Sequence, residues 1–208
     1  MLYIETVKPD TFSLLKELML VKEMQHFNLV GGTALSLRLG HRISIDLDLF
    51  SHEKFENEKV IKALKSNFKN RLQLNSTVNN QLGIFCFIDD VKIDICRHNG
   101  ALIDEVFQTD GIRMWGLKDI AASKVNAISR RATKKDFWDI NALLDIYNIE
   151  EIASFYRQKY DPVLAIGVAK MITYFVDAED SETPNCLQKQ TWKQVKKSIY
   201  KKINNNSK

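Results

Sequence analysis

The sequence predicts an α+β protein in which a mixed sheet with flanking helices is followed by a C-terminal helical bundle. Two observations predict this class. Apolar and polar residues alternate with the period of two that is typical of strands only before about residue 114. Beyond that point apolar residues recur only at helical spacing. We therefore expect an α/β core over residues 1–113 and a helical domain over residues 114–208, packed against the core.

The elements of the first half follow from local signals. A capping cluster at Pro9, Asp10 and Thr11 opens the first helix, and a Gly-Gly break separates a short buried strand from the next helix. Asp89 and Asp90 form a two-residue polar link between the last two strands, which predicts a hairpin. The predicted helices span residues 9–26, 33–38 and 54–68, and the predicted strands span residues 27–30, 43–50, 72–78, 82–88 and 91–96.

The second half contains only helical patterns. The apolar spacing changes near residues 111–116, where we place the boundary between the two parts. The predicted helices span residues 116–131, 134–147, 149–159, 162–176 and 188–203.

Composition excludes several classes of protein. Hydrophobic residues make up 45% and charged residues 27% of the 208 residues, which is the range of ordinary globular proteins. No apolar run is long enough to cross a bilayer, and the N-terminus lacks the pattern of a signal peptide. We expect a cytoplasmic protein without a membrane partner. Three cysteines without a CxxC pair make a disulfide framework or a zinc knuckle improbable.

The charge is mild overall but uneven along the chain. The net charge is +4, yet residues 185–208 contain seven lysines and no acid. Such a run is usually a solvated helical face. The alternative is a contact with RNA phosphates, which would weaken as salt rises.

The first set of chemical residues lies in residues 29–51, with the sequence LVGGTALSLRLGHRISIDLDLFS. On a strand, Arg42, Ser44, Asp46 and Asp48 would share one face, and the intervening apolar residues would face the core. Asp46 and Asp48 would then lie about 7 Å apart, a reach over which they could share divalent cations. The alternative is a solvated strand face that carries two acids.

Asp94 is a third acid among apolar neighbours in a strand. If its strand lies beside the strand of Asp46 and Asp48, three carboxylates converge, as in sites that clamp two metal ions. An acid near a hairpin turn is the alternative interpretation.

Gly31, Gly32 and Thr33 lie between a strand and the start of a helix. A helix N-terminus suits phosphate because it presents free N–H groups, and glycine lets the backbone approach closely. The pattern is neither a Walker loop nor GxGxxG, and most Gly-Gly turns are only turns.

A second motif lies in the helical half. Lys124 falls on the apolar face of its helix, where a lysine needs a partner, and Asp136 at the start of the next helix could supply it. A structural ion pair that joins two helices is the alternative to a functional lysine. We expect Asp139, one turn further on, to be exposed.

Together these motifs resemble the polymerase-β-like nucleotidyltransferase superfamily, and more closely its AbiEii/AbiGii toxin family. The stretch GGTALSLRLGHRISIDLDLF carries the first part of the resemblance, and LKDIAASKVNAISRRATKKDFWDINALL carries the second. The resemblance covers roughly residues 27–145. It implies a nucleotidyltransferase-like fold in which Asp46, Asp48 and Asp94 bind Mg²⁺ or Mn²⁺.

The resemblance also implies roles for the remaining motif residues. Asp94 would help to deprotonate the acceptor, Lys124 would contact phosphate, and Asp136 would orient Lys124 or assist the nucleophile. The positions implied to contact nucleotide or phosphate are Gly31, Gly32, Thr33, Arg42, Ser44, Arg131 and Lys135.

The implied function is the transfer of a nucleoside monophosphate from an NTP to an acceptor hydroxyl. The setting would be the toxin of a toxin–antitoxin pair in phage defence and abortive infection, with a separate DNA-binding antitoxin as partner. RNA, including tRNA ends, is one implied acceptor. Three other interpretations remain: an aminoglycoside-type small-molecule nucleotidyltransferase, a metabolic enzyme with the same chemistry, and a non-catalytic module that binds nucleotide or RNA.

Overall fold

The computed structural model describes residues 1–75, 83–160 and 167–205. The predicted α+β class is confirmed, because all named strands lie before residue 115 and the named elements after it are helices. The chain divides into two compact units. Unit 1 comprises Met1–Arg38, Ser44–Ala101 and Val106–Trp115, and unit 2 comprises Leu39–Ile43, Leu102–Glu105 and Gly116–Lys208. A domain boundary after residue 113 stays a prediction.

Unit 1 is built on one mixed sheet. In its described residues the strands are β1 Asn28–Val30, β2 Leu47–Ser51, β3 Leu72–Leu74, β4 Ile84–Ile88, β5 Val91–Arg97, β6 Phe107–Thr109 and β7 Ile112–Met114. Their order across the sheet is β3-β4-β5-β2-β1-β7-β6. β2 is central, since it pairs antiparallel with β1 and parallel with β5.

One face of the central strands belongs to the core of unit 1. Leu47, Leu49, Ile93 and Ile95 are at most 1% exposed. Their neighbours in sequence point to the opposite face, because side chains alternate along a strand. The helices of this unit are α1 Pro9–Leu20, α2 Gly31–Leu39 and α3 Asn57–Phe68.

Two predicted boundaries in unit 1 are wrong. α1 ends at Leu20 rather than at residue 26, because Val21 is extended and a short 3-10 turn, Lys22–Met24, follows. The predicted strand over residues 43–50 begins only at Leu47. The residues before it bond elsewhere: the Ile43 N–H donates to the carbonyl of Asn185, and the Ser44 N–H donates to that of Thr6.

The predicted hairpin at Asp89 and Asp90 is confirmed, since Ile88 pairs with Val91. Both aspartates have positive φ, 49° and 62°, which is the conformation of a type I′ turn. The sequence interpretation missed a second hairpin, β6–β7, although Asp110-Gly111 is a strong signal for one. Parts of the predicted strands over residues 72–78 and 82–88 lie outside the described residues.

Unit 2 consists mainly of helices. They are α4 Leu117–Arg131, α5 Lys134–Leu143, α6 Ile149–Lys159, α7 Val168–Met171 and α8 Trp192–Asn205. The start of the helix predicted over residues 162–176 lies outside the described residues. Its predicted end is wrong, because α7 stops at Met171. No helix in the described ranges has the length and apolarity that crossing a membrane requires.

Candidate active site

Asp48 and Asp94 are direct neighbours across two parallel strands. They are register partners in the β2–β5 pair, and parallel neighbours lie about 4.8 Å apart. Register partners point to the same face, so both carboxylates lie opposite the buried Leu47 and Ile93. The strand pairing that the three-carboxylate hypothesis requires is therefore present.

Asp46 lies one residue before β2 and is fixed through its backbone. The hydroxyl of Thr33 donates to the carbonyl oxygen of Asp46 and also to Oγ of Ser44, at 2.8 Å. Thr33 is 1% exposed and Ser44 is 7% exposed. These two motif residues thus connect α2 to the segment that carries Asp46. Their contact with nucleotide stays a prediction.

Lys92 is a basic residue of this face that the sequence analysis did not select. Its Nζ lies 2.7 Å from Oδ2 of Asp94. Burial disfavours the charged lysine, but the hydrogen bond to Asp94 and the charges of Asp94, Asp46 and Asp48 raise its pKa. Burial, followed by the charges of Asp94 and Asp48, raises the pKa of the Cys96 thiol to about 11. All three carboxylates therefore favour the charged form of Lys92.

The carboxylates of Asp46, Asp48 and Asp94 offer the oxygen donors that a hard cation binds. Oδ1 of Asp94 is buried and has no hydrogen-bond partner within the described residues. Carboxylate oxygens are the ligands that Mg²⁺ prefers. In the ranges that the structure covers, no three His, Cys, Asp or Glu side chains are grouped closely enough to hold a metal ion. The metal site at Asp46, Asp48 and Asp94 stays a prediction.

Gly31 brings the start of α2 against Asp48. Its φ of +68° lies in the region that glycine favours. A Cβ at this position would collide with Oδ2 of Asp48. The absent side chain therefore makes room for the carboxylate at the N-terminus of a nine-residue helix. Gly32 follows as the second helical residue, and its predicted contact with phosphate is untested.

Lys124 is buried in unit 2 between two carboxylates. Its Nζ lies 3.1 Å from Oδ1 of Asp136 and 2.5 Å from Oδ2 of Asp139. Burial disfavours its charge, but Asp139 and Asp136 raise the pKa of Lys124. The predicted pairing with Asp136 is present. Asp136 also accepts hydrogen bonds from the N–H and hydroxyl of Thr133, as the acid of a capping box.

Asp139 is the centre of this buried cluster, and the expectation that it is exposed is wrong. It is 0% exposed. The guanidinium of Arg42 binds it in bidentate fashion, at 2.7 and 2.9 Å, and Nε2 of His41 donates at 2.7 Å. Burial disfavours its ionisation, but Arg42 and Lys124 hold the pKa of Asp139 well below its ordinary value. Arg42 thus precedes β2 rather than sharing its face, and contacts a carboxylate.

The side chains of Arg131 and Lys135 are more exposed than that of Lys124. The Arg131 side chain is 62% exposed, and its Nε lies 4.0 Å from Oδ2 of Asp136. Lys135 is half-buried in the first turn of α5. That Arg131 and Lys135 contact the nucleotide stays a prediction.

Two residues of these clusters, Lys92 and His41, were not predicted from the sequence, and a third, Asp139, was expected to be exposed. Lys92 lies two residues from Asp94 on one strand face, so alternation could have indicated it. Asp139 lies three residues after Asp136, and such residues share a helix face. No local signal predicts that His41 and Arg42 bind a carboxylate about a hundred residues further along the chain.

Known structures share this fold. The protein JHP933 of Helicobacter pylori is 20% identical, with a TM-score of 0.56 over 97% of this chain and 96% of its own. MenT4, a nucleotidyltransferase toxin of Mycobacterium tuberculosis, is 15% identical, with a TM-score of 0.59 over 94% of this chain and 84% of its own. An uncharacterized protein of Aquifex aeolicus is 27% identical over 85% of this chain and 86% of its own.

The fold is shared with a solved nucleotidyltransferase, and a match to a nucleotidyltransferase family over part of the chain supports the same class. Residues 13–84 match the family described as nucleotidyl transferase AbiEii toxin of a type IV toxin–antitoxin system. The match covers less than half of the chain, and it supports the resemblance to the AbiEii family that the motifs carry. The matched segment contains Gly31, Asp46 and Asp48 and ends before Asp94.

Proposed function

We propose that this protein transfers a nucleoside monophosphate from an NTP to a hydroxyl group of RNA in a reaction that depends on Mg²⁺ or Mn²⁺. The register of Asp48 beside Asp94, with Asp46 two residues before Asp48, is the observation that supports this most. It unites acids from two strands, as the resemblance of the sequence motifs implies.

The proposed reaction is a displacement at the α-phosphorus. The acceptor oxygen forms a bond to the α-phosphorus, and the bond from that phosphorus to the bridging β-oxygen breaks, so that pyrophosphate leaves. The proton of the acceptor hydroxyl passes to Asp94, whose Oδ1 has no hydrogen-bond partner among the described groups. Gly31 and Gly32, at the N-terminus of α2, lie where backbone N–H groups could bind phosphate.

The cation would be held by Asp46, Asp48 and Asp94 and would supply positive charge against the triphosphate. Nζ of Lys92 donates a hydrogen bond to Oδ2 of Asp94. This lysine would have to move if Asp94 used both oxygens.

For Lys124 the buried ion pairs favour a positioning role. A phosphate that contacted Lys124 would have to displace Asp136 or Asp139. We assign Lys124 and Asp136 to the joining of α4 and α5, and direct contact with phosphate stays a prediction.

The family description supports a biological setting as the toxin of a toxin–antitoxin pair. We propose a separate antitoxin as partner and action in the cytoplasm, in phage defence by abortive infection.

Label transfer tests the activity and the acceptor together. The purified protein is incubated with each α-³²P-labelled NTP, Mg²⁺ and either total cellular RNA or an aminoglycoside. We expect label on small RNA with the wild-type protein and none with Asp46→Asn/Asp48→Asn. Omission of Mg²⁺ should abolish the transfer.

The matched control is Asp90→Asn/Asp110→Asn, which changes two exposed aspartates in turns. Asparagine tolerates positive φ, so this variant should transfer label like the wild type. Label on the aminoglycoside alone would replace the RNA proposal with the small-molecule interpretation. Transfer that survives in Asp46→Asn/Asp48→Asn would reject the acid site.

A further inference from the structure

Helix α8 carries five lysines and no acid, and these lysines divide into two groups. Lys196 and Lys202 are bound to their own unit. Nζ of Lys196 lies 2.6 Å from Oε1 of Glu179, and Nζ of Lys202 lies 2.7 Å from Oδ1 of Asp145. These two lysines therefore neutralise acids of the surface around the helix.

The other group forms a stripe on the outer side. Lys193, Lys197 and Lys201 are exposed, and none of them forms an ion pair with a residue in the described ranges. Their spacing of four residues places them on one helix face, with a rise of about 6 Å from each to the next. We call Lys193, Lys197 and Lys201 the α8 lysine stripe.

The stability of the helix does not account for this stripe. Like charges four residues apart destabilise a helix, and Lys193 lies in the first turn, where the helix dipole disfavours a cation. The helix is held instead by its other side. Val195 and Ile199 are fully buried, and Trp192 stacks on Trp138 with ring centroids 5.5 Å apart.

An aromatic side chain lies within the stripe. Tyr200 is 48% exposed, and its hydroxyl donates to the carbonyl of Thr173 at 3.2 Å. The position of the ring is thereby fixed while about half of it faces outward. Lysines that contact phosphates, with aromatic rings that stack on bases, are the usual elements of surfaces that bind single-stranded nucleic acid.

We propose that the α8 lysine stripe, with Tyr200, is a docking surface for the phosphate backbone of a single-stranded segment of the acceptor RNA. The proposal rests on RNA being the acceptor. The stripe would be a second place at which this chain binds the acceptor RNA, in addition to the site of Asp46, Asp48 and Asp94. Charge complementarity favours a polyanion as the occupant, because the two acids that contact the helix, Glu179 and Asp145, are already paired with its other lysines.

The test is the binding of a fluorescein-labelled oligouridylate, measured by anisotropy over a series of salt concentrations. The variant is Lys193→Gln/Lys197→Gln/Lys201→Gln. Three lost phosphate contacts should weaken binding at low salt by about tenfold and reduce the slope of log K against log salt by about 2, that is, three times 0.7. Tyr200→Leu should weaken binding without changing the slope, because stacking is not ionic.

The control is Lys8→Gln/Lys22→Gln/Lys54→Gln, which removes three exposed lysines outside α8. It should bind like the wild type. Equal losses in both triple variants would mean that only net charge matters, and unchanged binding by the stripe variant would mean that α8 does not hold RNA. Either result overturns the proposal.

Binding and transfer can fail separately. If the wild-type protein transfers no label to RNA, the proposed function fails, whatever α8 binds. If the stripe variant retains wild-type affinity while the wild type labels RNA, only the docking proposal fails. Circular dichroism should show equal helix content in the lysine variants and the wild type, because the changed lysines are exposed.

Discussion

The contact between Gly31 and Asp48 is the tightest constraint on a single residue of the acid site. Gly31 has a positive φ, and the space of its missing side chain is filled by a carboxylate oxygen. Glycine is therefore needed at position 31 for two reasons: the backbone conformation and the space for the carboxylate of Asp48. At Gly111 only the backbone conformation favours glycine. Its φ is +78°, and a Cβ there would have no atom of the described chain within 4 Å.

Comparison of Gly31→Ala with Gly111→Ala should separate these requirements. Both substitutions place alanine at positive φ, which costs about 1 kcal/mol of stability. Only Gly31→Ala also displaces Asp48, so only this variant should lose nucleotidyl transfer, by about a hundredfold. Transfer rates are measured beside thermal unfolding midpoints. Equal activity of the two variants would mean that the position of Asp48 is not critical.

Lys92→Met should tighten the binding of a divalent cation. Lys92 pairs with Asp94 and competes with a metal for the same carboxylate. Partly exposed ion pairs contribute up to about 1 kcal/mol, so the affinity for Mn²⁺ should rise by roughly fivefold. Electron paramagnetic resonance of free Mn²⁺ measures this, with Lys62→Met as control. Weaker binding in Lys92→Met would show that the lysine supports the metal site.

The positions of the acids follow from sequence, but their surroundings do not. Asp46, Asp48 and Asp94 stand out because acids are rare among alternating apolar residues. The burial of Asp139 could not be inferred in this way. A buried carboxylate depends on its partners, and Arg42 and His41 are remote in sequence.

At the scale of elements, helices α4 and α5 are joined by a buried ionic cluster. Asp139 on α5 is paired with Lys124 on α4 and with Arg42. The removal of one partner from such a cluster leaves charges buried without compensation, which is far costlier than the loss of an exposed pair.

Asp139→Asn should therefore lower the free energy of unfolding by about 3–5 kcal/mol at neutral pH. The pKa of Asp139 is lowered in the folded state, so its stabilisation is present above its ordinary pKa of 3.8 and is lost as pH falls through the folded value. The deficit of Asp139→Asn should accordingly shrink below about pH 4. Urea unfolding at a series of pH values measures it.

A second variant keeps this prediction testable if Asp139→Asn does not fold. Arg42→Met/Asp139→Leu removes one positive and one negative charge and leaves the pair of Lys124 with Asp136. It should be more stable than Asp139→Asn at neutral pH. Wild-type stability of Asp139→Asn would contradict the account of the cluster.

Local patterns predicted the types of the elements better than their limits. The β4–β5 hairpin followed from a two-residue polar link, and its turn proved to be type I′. The strand before Asp48 was predicted four residues too long, because alternation continued through residues 43–46. Those residues do not pair with β1 or β5; Ile43 and Ser44 bond to distant backbone instead.

At the scale of the whole molecule, the change from alternating to helical patterns along the chain predicted the class of fold. The sequence could not show that Leu39–Ile43 and Leu102–Glu105 belong to unit 2. Membership of those segments depends on contacts such as that of Arg42 with Asp139, and of the Ile103 N–H with the carboxylate of Asp119. Such contacts between residues that are remote along the chain produce no periodic pattern in the sequence.

The proposed function requires Asp94 to complete a site with Asp46 and Asp48, although Asp94 lies beyond the segment that matches the family. The most direct test is the rate of label transfer by Asp94→Asn, with Asp90→Asn in the turn before the same strand as control. We expect Asp94→Asn to lose at least about a hundredfold in rate, with the fold retained, and the control to lose nothing. A rate for Asp94→Asn within a few-fold of the wild type would contradict the proposed function.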